Sequence, residues 1–205
     1  MSKPIKILGL AGSARKDSLH KKLVKAALAV ASTHADSVTW VDLKDYDIPL
    51  YDGDLETEQG QPAAALRLRA LFKEHDALLI GSPEYNGFPS PLLKNTLDWL
   101  SRPLDGEERH AAFRNKPTLL LATSRGESGG VRGLQSLRQL LNNLKALLHT
   151  ADYSLPNGAQ AFDVHGNLVQ DKDQIRLEHL VKEFVLFART PDISTVGQVR
   201  EQKAA

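Results

Sequence analysis

Residues 9–18 read GLAGSARKDS, and three of them suit an anion: Ser13, Arg15 and Ser18. They supply two hydroxyls and a fixed cation. The stretch follows the apolar run IKIL and precedes LHKKLVKAALAVAS, which has helical spacing. A loop that enters a helix there adds backbone N–H donors and the positive end of the helix dipole. That set suits a phosphate monoester dianion. The blander alternative is that Ser18 only N-caps the helix and Arg15 is solvated. The loop is not a dinucleotide fingerprint, because Gly9 and Gly12 are followed by Arg15 where the last glycine would stand. No G-x-x-x-x-G-K-[ST] occurs either. A mononucleotide fits better than NAD or ATP as the tightly held ligand.

Two further stretches carry chemistry. In GSPEYNGFPSPLLKNTLDWLSRP, Pro83 and Pro89 stiffen a turn and Gly87 permits positive φ. Tyr85 offers a flat face there, and Glu84 and Asn86 offer polar edges. Backbone N–H groups held in such a turn could meet the acceptor edge of a planar heterocycle. The alternative is a structural turn with Tyr85 packed inward. In TSRGESGG, Gly126, Gly129 and Gly130 let backbone approach a ligand, with Ser124 as a polar contact.

The elements that position these loops follow from hydrophobic pattern. Continuous aliphatic runs predict buried strands at residues 5–10, 76–81 and 117–123, and alternation predicts one at 37–43. A fifth is expected near 151–155. Helices are expected over 18–33, where Leu19, Leu23, Ala26, Ala27 and Val30 form a stripe, and over 63–75, 91–101, 131–149 and 171–188. Residues 44–62 read as an acidic, turn-rich loop. Five β-α units with apolar strands predict a parallel sheet covered on both faces by helices. One domain over 1–190 is expected, with a loosely ordered tail over 191–205. In such sheets ligands sit beyond the carboxyl ends of the strands, where all three loops emerge.

Bulk properties exclude several classes. With 26 basic and 25 acidic residues the net charge is +1, too balanced for nucleic acid as the main partner. The chain has no cysteine, which removes thiolate metal sites and cysteine nucleophiles, including that of a phosphatase with a similar anion loop. The seven histidines show no metal spacing; His20 stands beside the anion loop and His149 is expected near a helix end. No run approaches the roughly 18 apolar residues of a membrane span, and no signal peptide is seen. The expectation is a cytoplasmic protein without membrane or metal.

GSARKDSLHKKL, the Pro83–Gly87 run with Lys94, Asn95, Asp98 and Trp99, and TSRGESGG followed by LRQLL together resemble the NADPH-dependent FMN reductase family. This flavodoxin-like group includes quinone, azo-dye and chromate reductases. The resemblance implies a three-layer α/β sandwich with a five-stranded parallel sheet in the order 2-1-3-4-5. It implies FMN as cofactor, its phosphate on Ser13, Arg15 and Ser18 with Leu19 and His20 alongside. It implies the flavin ring against Pro83, Glu84, Tyr85, Asn86 and Gly87, with Ser124 and Gly126 flanking it. It implies NADPH or NADH as co-substrate, a small-molecule acceptor, and a homodimer or homotetramer. Three positions depart from the usual pattern: His20 replaces a common asparagine, Ser90 a frequent glycine, and Arg125 a proline.

The flavin would supply the chemistry, so no catalytic side chain or metal is expected. A hydride would pass from NADPH to the flavin and then to an acceptor on the same face, giving ping-pong kinetics. Amides near residues 84–86 would steady negative charge on the ring. The acceptor could be a quinone, an azo dye, a metal oxyanion or free flavin. Two rivals remain: an electron carrier, which would usually be strongly acidic, and a non-catalytic binder of a phosphorylated metabolite. The helix at 91–100 carries Leu92, Leu93, Leu97, Trp99 and Leu100, more apolar surface than one stripe needs, so part of it is expected to face another subunit.

Overall fold

The computed structural model describes residues 4–190; the tail expected over 191–205 lies outside them. In chain order the elements are β1 (Lys6–Ala11), α1 (Leu19–Ala31), β2 (Ser37–Asp42), α2 (Gly53–Gln59), α3 (Ala63–Glu74), β3 (Ala77–Gly81), β4 (Glu84–Tyr85), β5 (Phe88–Pro89), α4 (Pro91–Leu100), β6 (Pro117–Thr123), α5 (Val131–Asn143), β7 (Leu147–Leu148), β8 (Tyr153–Leu155) and α6 (Asp171–Arg189). The main sheet runs β2-β1-β3-β6, with both β7 and β8 on the far side of β6. Every pairing in it is parallel.

Alternation along the strands sends side chains to two cores. Leu8, Leu10, Leu78, Ile80 and Leu120 pack with Leu68, Leu97, Leu134 and Leu137, so α3, α4 and α5 cover one face. Ile7, Leu79, Leu119 and Leu121 pack with Leu23, Ala27, Val181 and Phe184, so α1 and α6 cover the other. Two buried faces explain why these strands are aliphatic throughout rather than half polar. All strand C-termini therefore open onto one edge, and the loops after β1, β3, β6 and β8 share it.

The structure corrects the sequence reading in four places. The expected helix over 131–149 stops at Asn143, because Lys145 adopts a positive φ of 65° and turns the chain. The fifth strand is split. Leu147–Leu148 pairs with the start of β6 and Tyr153–Leu155 with its end. His149 therefore sits between two strand pieces rather than at a helix end, buried with Phe184 and Phe187 edge-on to its ring. The acidic loop contains α2, capped by the Asp52 carboxylate, which accepts N–H bonds from Asp54 and Leu55. Finally, the apolar surplus of α4 is used within the chain. Leu93, Leu97, Trp99 and Leu100 are all fully buried, so this helix does not offer the surface expected of it.

Candidate active site

The first loop turns sharply after β1. The Gly12 N–H donates to the Gly81 carbonyl at 2.8 Å. A Cβ on Gly12 would lie 2.7 Å from Leu93 Cβ, so only glycine lets this backbone lie against α4. Ser13 is buried, and its Oγ accepts the Arg15 N–H at 3.4 Å. Ser18 is also buried and N-caps α1, its Oγ accepting the Lys21 N–H at 3.4 Å. A hydroxyl that accepts still has its own proton to give. Both hydroxyls thus keep a free donor among the described residues. Arg15 is exposed beside them, with no ion-pair partner among the described residues. Leu19 and His20 open the helix, both half-buried.

The second loop is a hairpin. Asn86 and Gly87 have φ of 55° and 83°, the pattern of a type I′ turn between β4 and β5. Pro83 is buried at its base and Tyr85 lies 52% exposed near its tip. The Glu84 carboxylate is turned away from the loop. It accepts the Gly133 N–H at 3.0 Å in the first turn of α5 and lies 3.5 Å from Arg132. An acidic group suits that helix start, because Gly130 caps it without a side chain. What this loop leaves free toward a ligand is backbone and the Tyr85 ring.

In the third loop the Ser124 hydroxyl donates to the Gly126 carbonyl at 2.9 Å. The chain after β8 closes on it: Gly158 N–H donates to Ser124 O at 2.7 Å and Asn157 N–H to Gly126 O at 3.0 Å. Arg125 is exposed, without an ion-pair partner among the described residues.

The three loops predicted to act together do meet. Ser90 Oγ–H donates to Gly12 O, joining the second loop to the first. His20 Nε2 accepts the Thr123 N–H at 3.3 Å, joining the first to the third. Burial lowers the His20 imidazole to about 4. Within the described residues, no three His, Asp or Glu side chains are grouped to hold a metal ion. No helix of the described residues is long and apolar enough to cross a membrane.

Sequence reasoning missed several supports. Lys21 is buried in the first turn of α1, where a cation is unfavourable, and Asp42 at the end of β2 neutralises it at 2.6 Å. Burial opposes the Asp42 charge, yet Lys21 and the Lys44 N–H hold its carboxyl below the usual range. Nothing in spacing links positions 21 and 42. Asn95 and Trp99 of α4 hold a neighbouring segment. Asn95 Oδ1 accepts the Tyr51 N–H, while Asn95 Nδ2 and Trp99 Nε1 both donate to Pro49 O, each at 2.8 Å. They pin the loop after β2 onto α4.

Fold and loop convergence together define a flavodoxin-like α/β protein. Residues 5–160 match the family of NADPH-dependent FMN reductases. The chain is 33% identical over 190 residues to an NAD(P)H-dependent FMN reductase of Pseudomonas aeruginosa, covering 92% of this chain and 98% of that one. It is 31% identical over 198 residues to a quinone reductase of Escherichia coli, covering 91% and 95%. The solved structure of FerB, a flavoenzyme NAD(P)H:(acceptor) oxidoreductase from Paracoccus denitrificans, aligns with a TM-score of 0.77 at 27% identity, covering 90% and 97%. The chain belongs to the NADPH-dependent FMN reductase family. It is an oxidoreductase whose cofactor is FMN and whose co-substrate is NAD(P)H.

Proposed function

We propose that the first loop holds the FMN phosphate and the second and third loops hold the ring. One observation carries this reading: Ser13 and Ser18 accept backbone N–H bonds yet keep their own protons, beside Arg15, which has no ion-pair partner among the described residues, and the N-terminus of a helix of 13 residues. That donor set fits a phosphate monoester dianion. Leu19 and His20 follow in the same first turn, with the His20 ring turned to the end of β6 rather than to the anion. Pro83, Glu84, Tyr85, Asn86 and Gly87 present rigid backbone to the ring edge, and Ser124 and Gly126 flank the other side.

FMN, when bound, would supply the redox chemistry between NAD(P)H and an acceptor. The protein binds, orients and shields. The type I′ turn fixes the amides of residues 84–87 without reorganisation, where donors steady developing negative charge. One open face serving donor and acceptor in turn gives ping-pong kinetics. A quinone is the acceptor we favour, because the Escherichia coli relative is named a quinone reductase; azo dyes, chromate-like oxyanions and free flavin are the others to assay.

A single domain, 1–190, carries this function in the cytoplasm. A homodimer, or a tetramer of two dimers, accords with the exposed Leu50 and Phe88, at 79% and 64%, on two segments attached to α4. A micromolar sample of monomer mass would remove that assembly.

The test is visible absorbance of the purified protein, followed by NADPH under argon. Flavin bands that bleach, and recover on adding a quinone, are the expected result. Bands that persist with both NADPH and NADH would indicate a carrier. A protein that takes up no FMN would overturn the reading.

A further inference from the structure

One imidazole ties the helix after the anion loop to the end of β6. His20 lies in the first turn of α1, two residues beyond the Ser18 cap. Its Nε2 accepts the N–H of Thr123, the last residue of β6, at 3.3 Å. The Thr123 bond requires an unprotonated Nε2, and burial keeps the ring neutral near pH 7. From Thr123 the constraint continues outward through β6. Ser82 N–H donates to Leu121 O at 2.9 Å, Thr123 Oγ1 donates to Leu155 O at 2.8 Å, and Gly158 N–H holds Ser124 O. The Ser90–Gly12 bond, by contrast, joins only the first loop to the second.

On the reading of the site given above, the first turn of α1 holds the phosphate, and Ser82 and Thr123 lead into the segments that hold the ring. We propose that His20 is a positioning residue that couples these two half-sites, so that an anion at Ser13, Arg15 and Ser18 tightens binding of the ring. The anion orders the first turn, the imidazole follows it, and the end of β6 is fixed through Thr123, with Ser82 tied to the same strand by its bond to Leu121 O. Coupling between two sites is reciprocal, so the ring also tightens the anion.

The test splits FMN into its parts. The full-length chain is freed of flavin, and riboflavin affinity is measured by fluorescence quenching with and without inorganic phosphate at constant ionic strength. In the wild type, saturating phosphate is expected to lower the riboflavin Kd about five- to tenfold. In His20→Ala the enhancement disappears, while phosphate still competes with FMN and the thermal midpoint shows a folded protein. In His20→Gln, whose amide can still accept from Thr123, part of the enhancement returns. A phosphate effect undiminished in His20→Ala, or absent from the wild type, overturns the coupling. Loss of phosphate binding itself in His20→Ala also overturns it, since His20 would then be a direct ligand. A wild type that binds neither riboflavin nor FMN fails the flavin reading; one that binds both without a phosphate effect fails only the coupling.

Discussion

Ser90 Oγ–H donates to the carbonyl of Gly12 at 2.5 Å across 78 positions of chain, and the same oxygen accepts the Leu93 N–H that begins α4. One side chain thus caps a helix and anchors the anion loop to it. Ser90→Ala loses the cap, which is worth about 1 kcal/mol, and strands a buried carbonyl. Gly12→Ala is expected to cost about 1–3 kcal/mol, because its methyl meets Leu93 in a packed core. Urea midpoints of both variants should fall, and an unshifted Gly12→Ala would mean that α4 yields.

Arg15 offers the exposed cation of the anion loop. A charge-assisted bond to phosphate is worth roughly 1.5–3 kcal/mol, so Arg15→Ala should weaken FMN about ten- to a hundredfold. Riboflavin, lacking the phosphate, should bind the variant as it binds the wild type. Equal losses for both ligands would place Arg15 at the ring instead.

The pH dependence has a definite sign. Burial lowers His20 to about 4 and also lowers His110, where Arg109, Arg114 and Lys145 add repulsion. Their unfolded values are near 6.5, so below that pH the unfolded chain binds more protons than the folded one. Stability therefore falls as pH drops from 6.5 toward 4, by up to about 1.4 kcal/mol per unit from His20, and His110 acts in the same direction. Asp36, Glu107 and Asp163, held low by the backbone N–H of Ile5, by Arg69 and by the Asn167 N–H respectively, lose their contribution only at lower pH. Urea midpoints from pH 6.5 to 4.5 should slope less steeply in His20→Asn than in the wild type. Parallel slopes would remove His20 as a cause.

Arg125 replaces a proline expected from the family pattern and stands exposed on the third loop. Arg125→Ala should raise the apparent KM for NADPH, or for an anionic acceptor, with little change in FMN retention. Kinetics unchanged for both would leave Arg125 a solvated loop residue.

Asn95 makes the loop after β2 measurable. Its Oδ1 is the acceptor for the Tyr51 N–H, so Asn95→Ala should speed hydrogen exchange at that amide by about tenfold or more, as expected for losing about 1.4 kcal/mol of protection. Continued protection would assign the loop's order to Trp99 and Tyr51 stacking alone.

Much of this architecture was readable because two buried faces write an unmistakable pattern. Leu78, Leu79 and Ile80 can only be a central strand, and Leu23 with Ala27 marks the face of α1 that meets the sheet. The misreadings have physical causes. Residues 53–59 contain no fully buried side chain and only Leu55 packs on the core, so α2 left no apolar stripe. Leu147 and Leu148 continue the apolar rhythm of α5, and only a left-handed Lys145, a residue type that does not announce such a turn, ends that helix. At the site, residue types could suggest an anion loop and a rigid hairpin. They could not reveal that the Glu84 carboxylate serves α5, or that Lys21 needs Asp42, since both are contacts between distant segments.

The docking of α6 on α1 bears on how the chain is made. Arg189, near the end of α6, donates to His34 O and pairs with Asp36, a separation of 153 positions to the latter. The helix that begins at the anion loop therefore keeps one apolar side uncovered until residues 171–189 have been made. Contacts this distant close late, because the long loop must be ordered first. A ribosome-bound chain ending before residue 171 should leave α1 open to chaperones and proteases, and cofactor capture belongs after α6 has closed over α1.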